Sequence, residues 1–221
     1  MKKISSALIS VFDKNKIENI CHILSNNDIE IYSTGGTFDY IKQLGIKIKK
    51  VEDLTSYPSI LNGRVKTLHP KVFGGILKTN SKSDLDESKK YEIPDIDLVV
   101  VDLYPFENTV KNSNNHEDII EKIDIGGVSL IRAAAKNYEN VVCISSKDQY
   151  DELISILNNG CKTDIEYRKK LAYAAFQKSS DYDYKISSYL GNENINSNFD
   201  KDTIKELRYG AVSYTHLTLP T

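Results

Sequence analysis

The chain of 221 residues has only three cysteines, Cys21, Cys143 and Cys161. An odd count without CxxC spacing gives neither a disulfide framework nor a zinc site. Cys143, inside Val141-Val142-Cys143-Ile144, reads as a small buried hydrophobe. No apolar run approaches the roughly 18 residues of a membrane span. The apolar stretch after Lys2-Lys3 stops at Asp13, too early for a secretion signal, so the sequence points to a cytoplasmic protein. The net charge is only −2, and no broad basic face for nucleic acid is expected from it. The four histidines and three cysteines do not cluster, so no metal is expected. No internal repeat is visible.

Against this neutral background one segment stands out. From Leu54 to Ser83 there is no Asp or Glu, while Arg64, Lys66, Lys71, Lys78 and Lys82 are present. Asn62-Gly63-Arg64-Val65-Lys66-Thr67-Leu68-His69-Pro70 concentrates the charge. A local positive island of this kind is suited to an anion.

Short apolar runs alternate with helical patterns, which predicts an α/β protein in three layers, with a mostly parallel central sheet flanked by helices. Ala7–Val11, Ile29–Ser33, Ile46–Val51, Ile96–Leu103 and Asn140–Ser145 read as strands. Ile96–Leu103, with its Leu-Val-Val-Val core, is expected at the centre, covered on both faces. Asp13 is expected to cap a helix carrying Ile17, Ile20, Cys21 and Leu24. Gly35-Gly36 opens a helix with Phe38, Ile41 and Leu44 on one face, ending at Gly45. Ser146 with Gln149, and Thr163 with Glu166, read as capping boxes. The second starts a long helix with Ile165, Ala172, Ala175, Ser179, Tyr182 and Ile186 facing inward. The expected organisation is one domain over 1–191, a linker over 192–210 and a tail over 211–221 that does not look native.

Several motifs fall where strands run into helices. Ser33-Thr34-Gly35-Gly36-Thr37 can hold a phosphate on free N–H groups at a helix start, with Thr34 and Thr37 adding hydroxyls; a plain glycine turn is the alternative. Ser10-Val11-Phe12-Asp13-Lys14 offers a second such turn. Tyr104 follows the central strand, and Pro105 is expected to block a helix there. Asp124 precedes Gly126-Gly127, as an acid or as a helix cap. Lys136 lies late on the helix that follows. In parallel sheets these strand ends share one edge. Together they predict a polar pocket for a phosphorylated substrate, with proton transfer and no metal.

These residues together resemble the inosine monophosphate cyclohydrolase domain of the bifunctional purine biosynthesis family. The likeness is carried by Ser10–Lys14, Ser33–Thr37, Gly63–Pro70, Leu103-Tyr104-Pro105-Phe106, Ile123–Gly127 and Arg132-Ala133-Ala134-Ala135-Lys136-Asn137, in that order. It covers about residues 4–210. The resemblance implies a methylglyoxal-synthase-like fold and dehydrative ring closure of a formylated aminoimidazole carboxamide ribotide to inosine monophosphate. It implies no metal or cofactor for that step, and a homodimer. Formyl-tetrahydrofolate would serve a second, formyltransferase domain, which the pattern does not reach: past Gly210 it departs from the family. Lys66, Tyr104, Asp124 and Lys136 are implied as the catalytic group. Ser10, Lys14, Thr34, Gly35, Gly36, Thr37, Arg64, Thr67, Asp102, Ile125, Gly126 and Gly127 are implied as holders of the substrate. The roles expected are Lys66 and Tyr104 at the formyl oxygen, with Asp124 and Lys136 at the amide proton. His69 and Pro70 are expected only to shape their loop. Two departures stand in the motifs. Phe12 occupies a position where the family often has serine, and Asp102 one where relatives can have asparagine. The competing readings are methylglyoxal synthase, a nucleotide-sensing module like that of carbamoyl-phosphate synthetase, and an inactive truncated chain.

Overall fold

A computed structural model describes residues 1–191. The expected linker over 192–210 and tail over 211–221 lie outside the described residues. The chain divides into compact units Met1–Tyr182 and Asp183–Thr221. The last helix runs Ile165–Leu190, so its residues from Asp183 onward belong to the second unit.

In the first unit the elements run β1 (Lys2–Lys3), β2 (Ser6–Val11), α1 (Ile17–Asn26), β3 (Glu30–Ser33), α2 (Gly35–Gln43), β4 (Lys49–Lys50) and α3 (Val51–Thr55). They continue with α4 (Pro70–Leu77), α5 (Lys82–Lys90), β5 (Leu98–Asp102), α6 (Phe106–Asn112), α7 (His116–Glu121) and α8 (Gly126–Lys136). β6 (Val142–Ile144), α9 (Tyr150–Asn158), β7 (Lys162–Thr163) and the start of α10 (Ile165–Leu190) complete it.

Five strands form a sheet in the order β4-β3-β2-β5-β6. Every pair in it is parallel. β1 and β7 pair antiparallel beside it. The strands alternate as a pleat requires. Ala7, Ile9, Leu98, Val100, Val142 and Ile144 join Ile17, Ile20, Leu24, Leu153 and Leu157 of α1 and α9 in one core. Leu8, Val99, Val101 and Cys143 fill the opposite face, where α8 packs on β5 and β6 and α4 packs on α8. This is the three-layer α/β arrangement expected from the sequence. The sheet grows from β2 outward to β4 on one side and through β5 to β6 on the other. That reversal opens a crevice at the carboxyl ends of β2 and β5.

Several local expectations change. Asp13 does not cap α1; Lys16 precedes that helix, with left-handed backbone and no side-chain cap. Asp13 instead accepts from the Asn15 N–H at 2.8 Å and pairs with Lys147. The strand expected over Ile46–Val51 shrinks to Lys49–Lys50, because Val51 already begins α3. Pro105 does not stop a helix: α6 starts directly after it. The Ser146–Gln149 capping box forms, on a single 3-10 turn ahead of α9. The second box does not. Thr163 sits buried in β7, and Asp164 caps α10 by accepting the Tyr167 N–H at 2.7 Å. Ile165 is accordingly exposed, and Arg168 and Leu171 take the inner face with Ala172, Ala175, Ser179 and Tyr182.

Arg168 is the unexpected member of that face. It is 4% exposed. Its guanidinium donates to the carbonyls of Tyr138 at 2.8 Å, Glu139 at 3.0 Å, Thr163 at 2.8 Å and Asp164 at 3.0 Å. A planar fork with five donors serves four carbonyls. Arg168→Met keeps the aliphatic bulk and leaves those carbonyls without donors. We expect a loss of about 2–4 kcal/mol of unfolding free energy. Chemical denaturation of the two proteins measures it.

All three cysteines are buried and free. Burial pushes the thiols of Cys21 and Cys143 up to about 12, so they stay protonated and inert, as their apolar sequence setting suggested.

Candidate active site

A cavity of about 580 Å³ lies in the crevice at the β2/β5 switch point. Each wall comes from a segment that leaves a strand or starts a helix.

The first wall is the turn from β3 into α2. Gly35 has φ +54, a backbone that favours glycine, and a side chain there would meet Lys66 Nζ at 3.2 Å. Gly36 and Thr37 follow in the first turn of α2 and line the cavity. First-turn N–H groups point out of a helix unpaired, so they face this space with the positive end of the dipole. The two threonine hydroxyls are engaged elsewhere. Thr34 Oγ1 donates to Glu52 Oε1 at 2.9 Å. Thr37 Oγ1 donates to the Val11 carbonyl at 2.8 Å and accepts the Val11 N–H at 3.2 Å. Thr37 therefore stitches α2 to the end of β2. What the turn offers an anion is backbone N–H rather than the hydroxyls expected from the sequence.

The second wall is the end of β2. Ser10, Val11, Phe12 and Lys14 line the cavity. Lys14 Nζ donates to the Val11 and Phe12 carbonyls at 2.9 and 2.7 Å. Burial lowers its pKa, partly offset by Asp102 and Asp13. Asp102, at the end of β5, accepts the Asp13 N–H at 2.9 Å and so ties the two strand ends together.

The positive segment forms the third wall. Asn62, Gly63, Arg64, Lys66 and Thr67 all reach the cavity. Thr67 is buried, with Oγ1 3.3 Å from where a side chain on Gly126 would begin. His69 accepts the Lys71 N–H at 3.2 Å, and Pro70 is the first residue of α4. The pair caps and starts that helix, which is the shaping role expected for it. Arg64 turns to Glu121 of α7: Nε and Nη2 contact one carboxylate at 3.1 and 2.8 Å. Glu121 also lines the cavity and was not expected from the sequence. The partners are 57 positions apart, so no local pattern announces the pair.

The fourth wall is the turn into α8. Asp124 Oδ1 accepts the Gly127 N–H at 2.6 Å. A side chain on Gly127 would lie 2.4 Å from Asp124 Oδ2, so only glycine admits this cap. The Asp124 N–H donates to the Tyr182 hydroxyl at 2.8 Å, which donates to the Lys122 carbonyl at 3.1 Å. Asp124 is thus both the helix cap and an acid facing the cavity. Burial raises its pKa, against the lowering pull of the Gly127 and Tyr104 N–H groups and of the Lys66 charge. Tyr104 stands beside it, its phenol pushed up by burial and by the charges of Asp124 and Glu121. Ile125, Gly126 and Gly127 complete the wall.

The structure therefore gathers Ser10, Lys14, Thr34, Gly36, Thr37, Arg64, Lys66, Thr67, Asp102, Tyr104, Asp124, Ile125, Gly126 and Gly127 around one cavity, with Gly35 against Lys66. Lys136 is the exception. It is the last residue of α8, whose first residue lines the cavity. Ten residues at 1.5 Å each carry it about 15 Å away, and its side chain is exposed there. Within one copy of the chain it does not enter the site. Among the described residues, no three His, Cys, Asp or Glu side chains are placed to hold a metal ion.

Known proteins resemble this chain over most of its length. Residues 16–129 match the model of the MGS-like domain, and residues 134–215 match that of the AICARFT/IMPCHase bienzyme. The bifunctional purine biosynthesis protein PurH of Bacteroides thetaiotaomicron is 50% identical over 212 residues, covering 95% of this chain and 42% of that protein. PurH of Clostridioides difficile is 45% identical over 212 residues, covering 92% of this chain and 41% of that protein. The chain thus spans about two-fifths of the length of these curated relatives. A solved structure titled "Crystal structure of ForH" superposes with a TM-score of 0.73 at 34% identity, covering 84% of this chain and 96% of that one. The chain belongs to the MGS-like domain family, in the line of the AICARFT/IMPCHase bienzymes.

Proposed function

We propose that the chain is an inosine monophosphate cyclohydrolase, closing the ring of formylated aminoimidazole carboxamide ribotide with loss of water. The observation that carries this reading is the meeting of Lys66, Tyr104 and Asp124 in one cavity that also takes in the anion-ready start of α2. A pocket of that composition suits a ligand with a phosphate at one end and a reacting carbonyl at the other.

The chemistry asks for few things. The carboxamide nitrogen attacks the formyl carbon, a C–N bond forms, and the formyl oxygen takes up negative charge. The Lys66 ammonium, with the Tyr104 hydroxyl, donates to that oxygen. Asp124 takes the first proton from the amide nitrogen and passes it to the oxygen, giving a hydroxyl. As the C–O bond breaks and a C=N bond forms, the proton lost from the ring nitrogen goes by the same carboxyl to the hydroxyl, which departs as water. A carboxyl raised by burial and held back by Lys66 is suited to carry a proton both ways. Holding the two reacting groups together removes much of the remaining barrier, up to roughly 7–11 kcal/mol in well-oriented cases. The start of α2, Lys14 and the Ser10 hydroxyl hold the phosphate side; Arg64, Thr67 and Asp102 border the ribose. From beside Gly35 the Lys66 amine reaches the phosphate side too. Its replacement is therefore expected to raise KM as well as lower kcat.

The reading needs no cofactor, and it sets the reaction in the cytoplasm. It includes a homodimer, in which a second copy is the route by which Lys136 would approach a neighbouring cavity. The test is direct: the purified chain is mixed with the formylated ribotide and inosine monophosphate is quantified. Turnover that scales with enzyme is expected. A folded chain that binds inosine monophosphate but produces none at high enzyme concentration would sink the proposal.

A further inference from the structure

Phe12 is the first residue beyond β2, and its ring is 44% exposed although it lines the cavity. Its backbone is fixed from both sides. The N–H donates to the Asp102 carbonyl at 3.3 Å, and the carbonyl accepts Lys14 Nζ at 2.7 Å. The ring leans on Tyr104, with centroids 5.2 Å apart and planes at 60°. Tyr104 is itself 37% exposed, and Ile125, on the same cavity, 60%. Beside Phe12 and Tyr104 the cavity is lined by glycines, hydroxyls and charges, with Val11, Ile120, Ile123 and Ile125 as its aliphatic members. An open aromatic ring on a rigid support, lining the same cavity as an anion-binding turn, suits a flat heterocycle joined to a phosphate.

We infer that Phe12 is a substrate-binding residue on which the heterocycle of the purine ribotide stacks. This rests on the reading proposed above and adds to it a ring-recognition element. Tyr104, tilted at 60° to it, supports the Phe12 ring. The α2 turn fixes the phosphate, and the exposed Phe12 on the same cavity adds a contact that a nucleoside monophosphate can use and a bare sugar phosphate cannot.

The experiment is calorimetric titration of the full chain and its variants with inosine monophosphate and, separately, with ribose 5-phosphate. Phe12→Ala is expected to weaken inosine monophosphate binding about tenfold, within the range of one base–aromatic stack, and to leave ribose 5-phosphate unchanged. Phe12→Tyr, which keeps the π-face, is expected to stay within about twofold of the parent. The inference falls if Phe12→Ala binds inosine monophosphate like the parent, or if it loses both ligands equally, which would mean a damaged pocket. A parent chain that binds ribose 5-phosphate but not inosine monophosphate would overturn the ribotide reading itself.

Discussion

Lys66→Met is expected to lower kcat for ring closure by about 10²–10³-fold, the cost of removing one donor aimed at a developing oxyanion. Methionine keeps most of the aliphatic stem and removes the charge, so the loop that carries it need not move. Two observations make Lys66 the residue to test. Its amine lies against Gly35 at the start of α2, and its charge is felt by Asp124. It therefore stands between the two ends of the cavity. The split between kinetic constants decides its role. A fall in kcat with a moderate rise in KM matches a donor in the transition state that also touches the phosphate side. A rise in KM at unchanged kcat would make it a phosphate holder only.

Asp124→Asn is expected to have the second large effect, a loss of about 10²–10⁴-fold in kcat/KM, as for a general acid–base group. The asparagine oxygen can still accept the Gly127 N–H, so the cap on α8 remains. The pH dependence gives an independent reading. Burial raises the Asp124 carboxyl above its ordinary value of 3.8, outweighing the N–H donors and Lys66. The ionised form takes the amide proton, so activity should fall as pH drops through that raised pKa. The acidic limb of kcat/KM should therefore lie above pH 3.8 and vanish in the variant. The linkage sign separates chemistry from folding. With the folded pKa raised, the group's contribution favours folding in the protonated form and is lost as pH rises through the folded pKa. At neutral pH the ionised carboxylate works against folding, so Asp124→Asn should be no less stable than the parent. A variant that unfolds at neutral pH would contradict this account of Asp124.

The strands β2, β3, β5 and β6 were legible because central parallel strands are continuous apolar runs, with Leu98–Val101 the extreme case. The gathering of the motifs around one cavity was legible for a related reason. Catalytic and binding residues of such sheets collect where strands end, and glycine, proline and hydroxyl residues mark those ends in Ser33–Thr37 and Ile123–Gly127. Less visible were elements without an apolar stripe. α5 is Lys-Ser-Asp-Leu-Asp-Glu-Ser-Lys-Lys, with an exposed Leu85, and is started by its Ser81 cap. α6 and α7 have seven and six residues, too short for a period to show. Pairings across the fold were not legible at all. Arg64 reads as an anion holder in the sequence, yet its guanidinium edge rests on Glu121. Arg168 gave no signal in the sequence, yet it fastens four carbonyls. Thr34 and Thr37 read as ligand hydroxyls, but Glu52 and Val11 claim them. Lys136 was placed in the site by resemblance. The helix rise puts it at the far end of α8.

The most direct test of the whole account is a crystal structure of the chain with inosine monophosphate bound. The phosphate should rest on the N–H groups of Gly36 and Thr37, and the base should lie beside Phe12. The ring carbon that came from the formyl group should sit between Lys66 and Asp124. A phosphate held away from α2, or a base turned from Asp124 and Lys66, would contradict it.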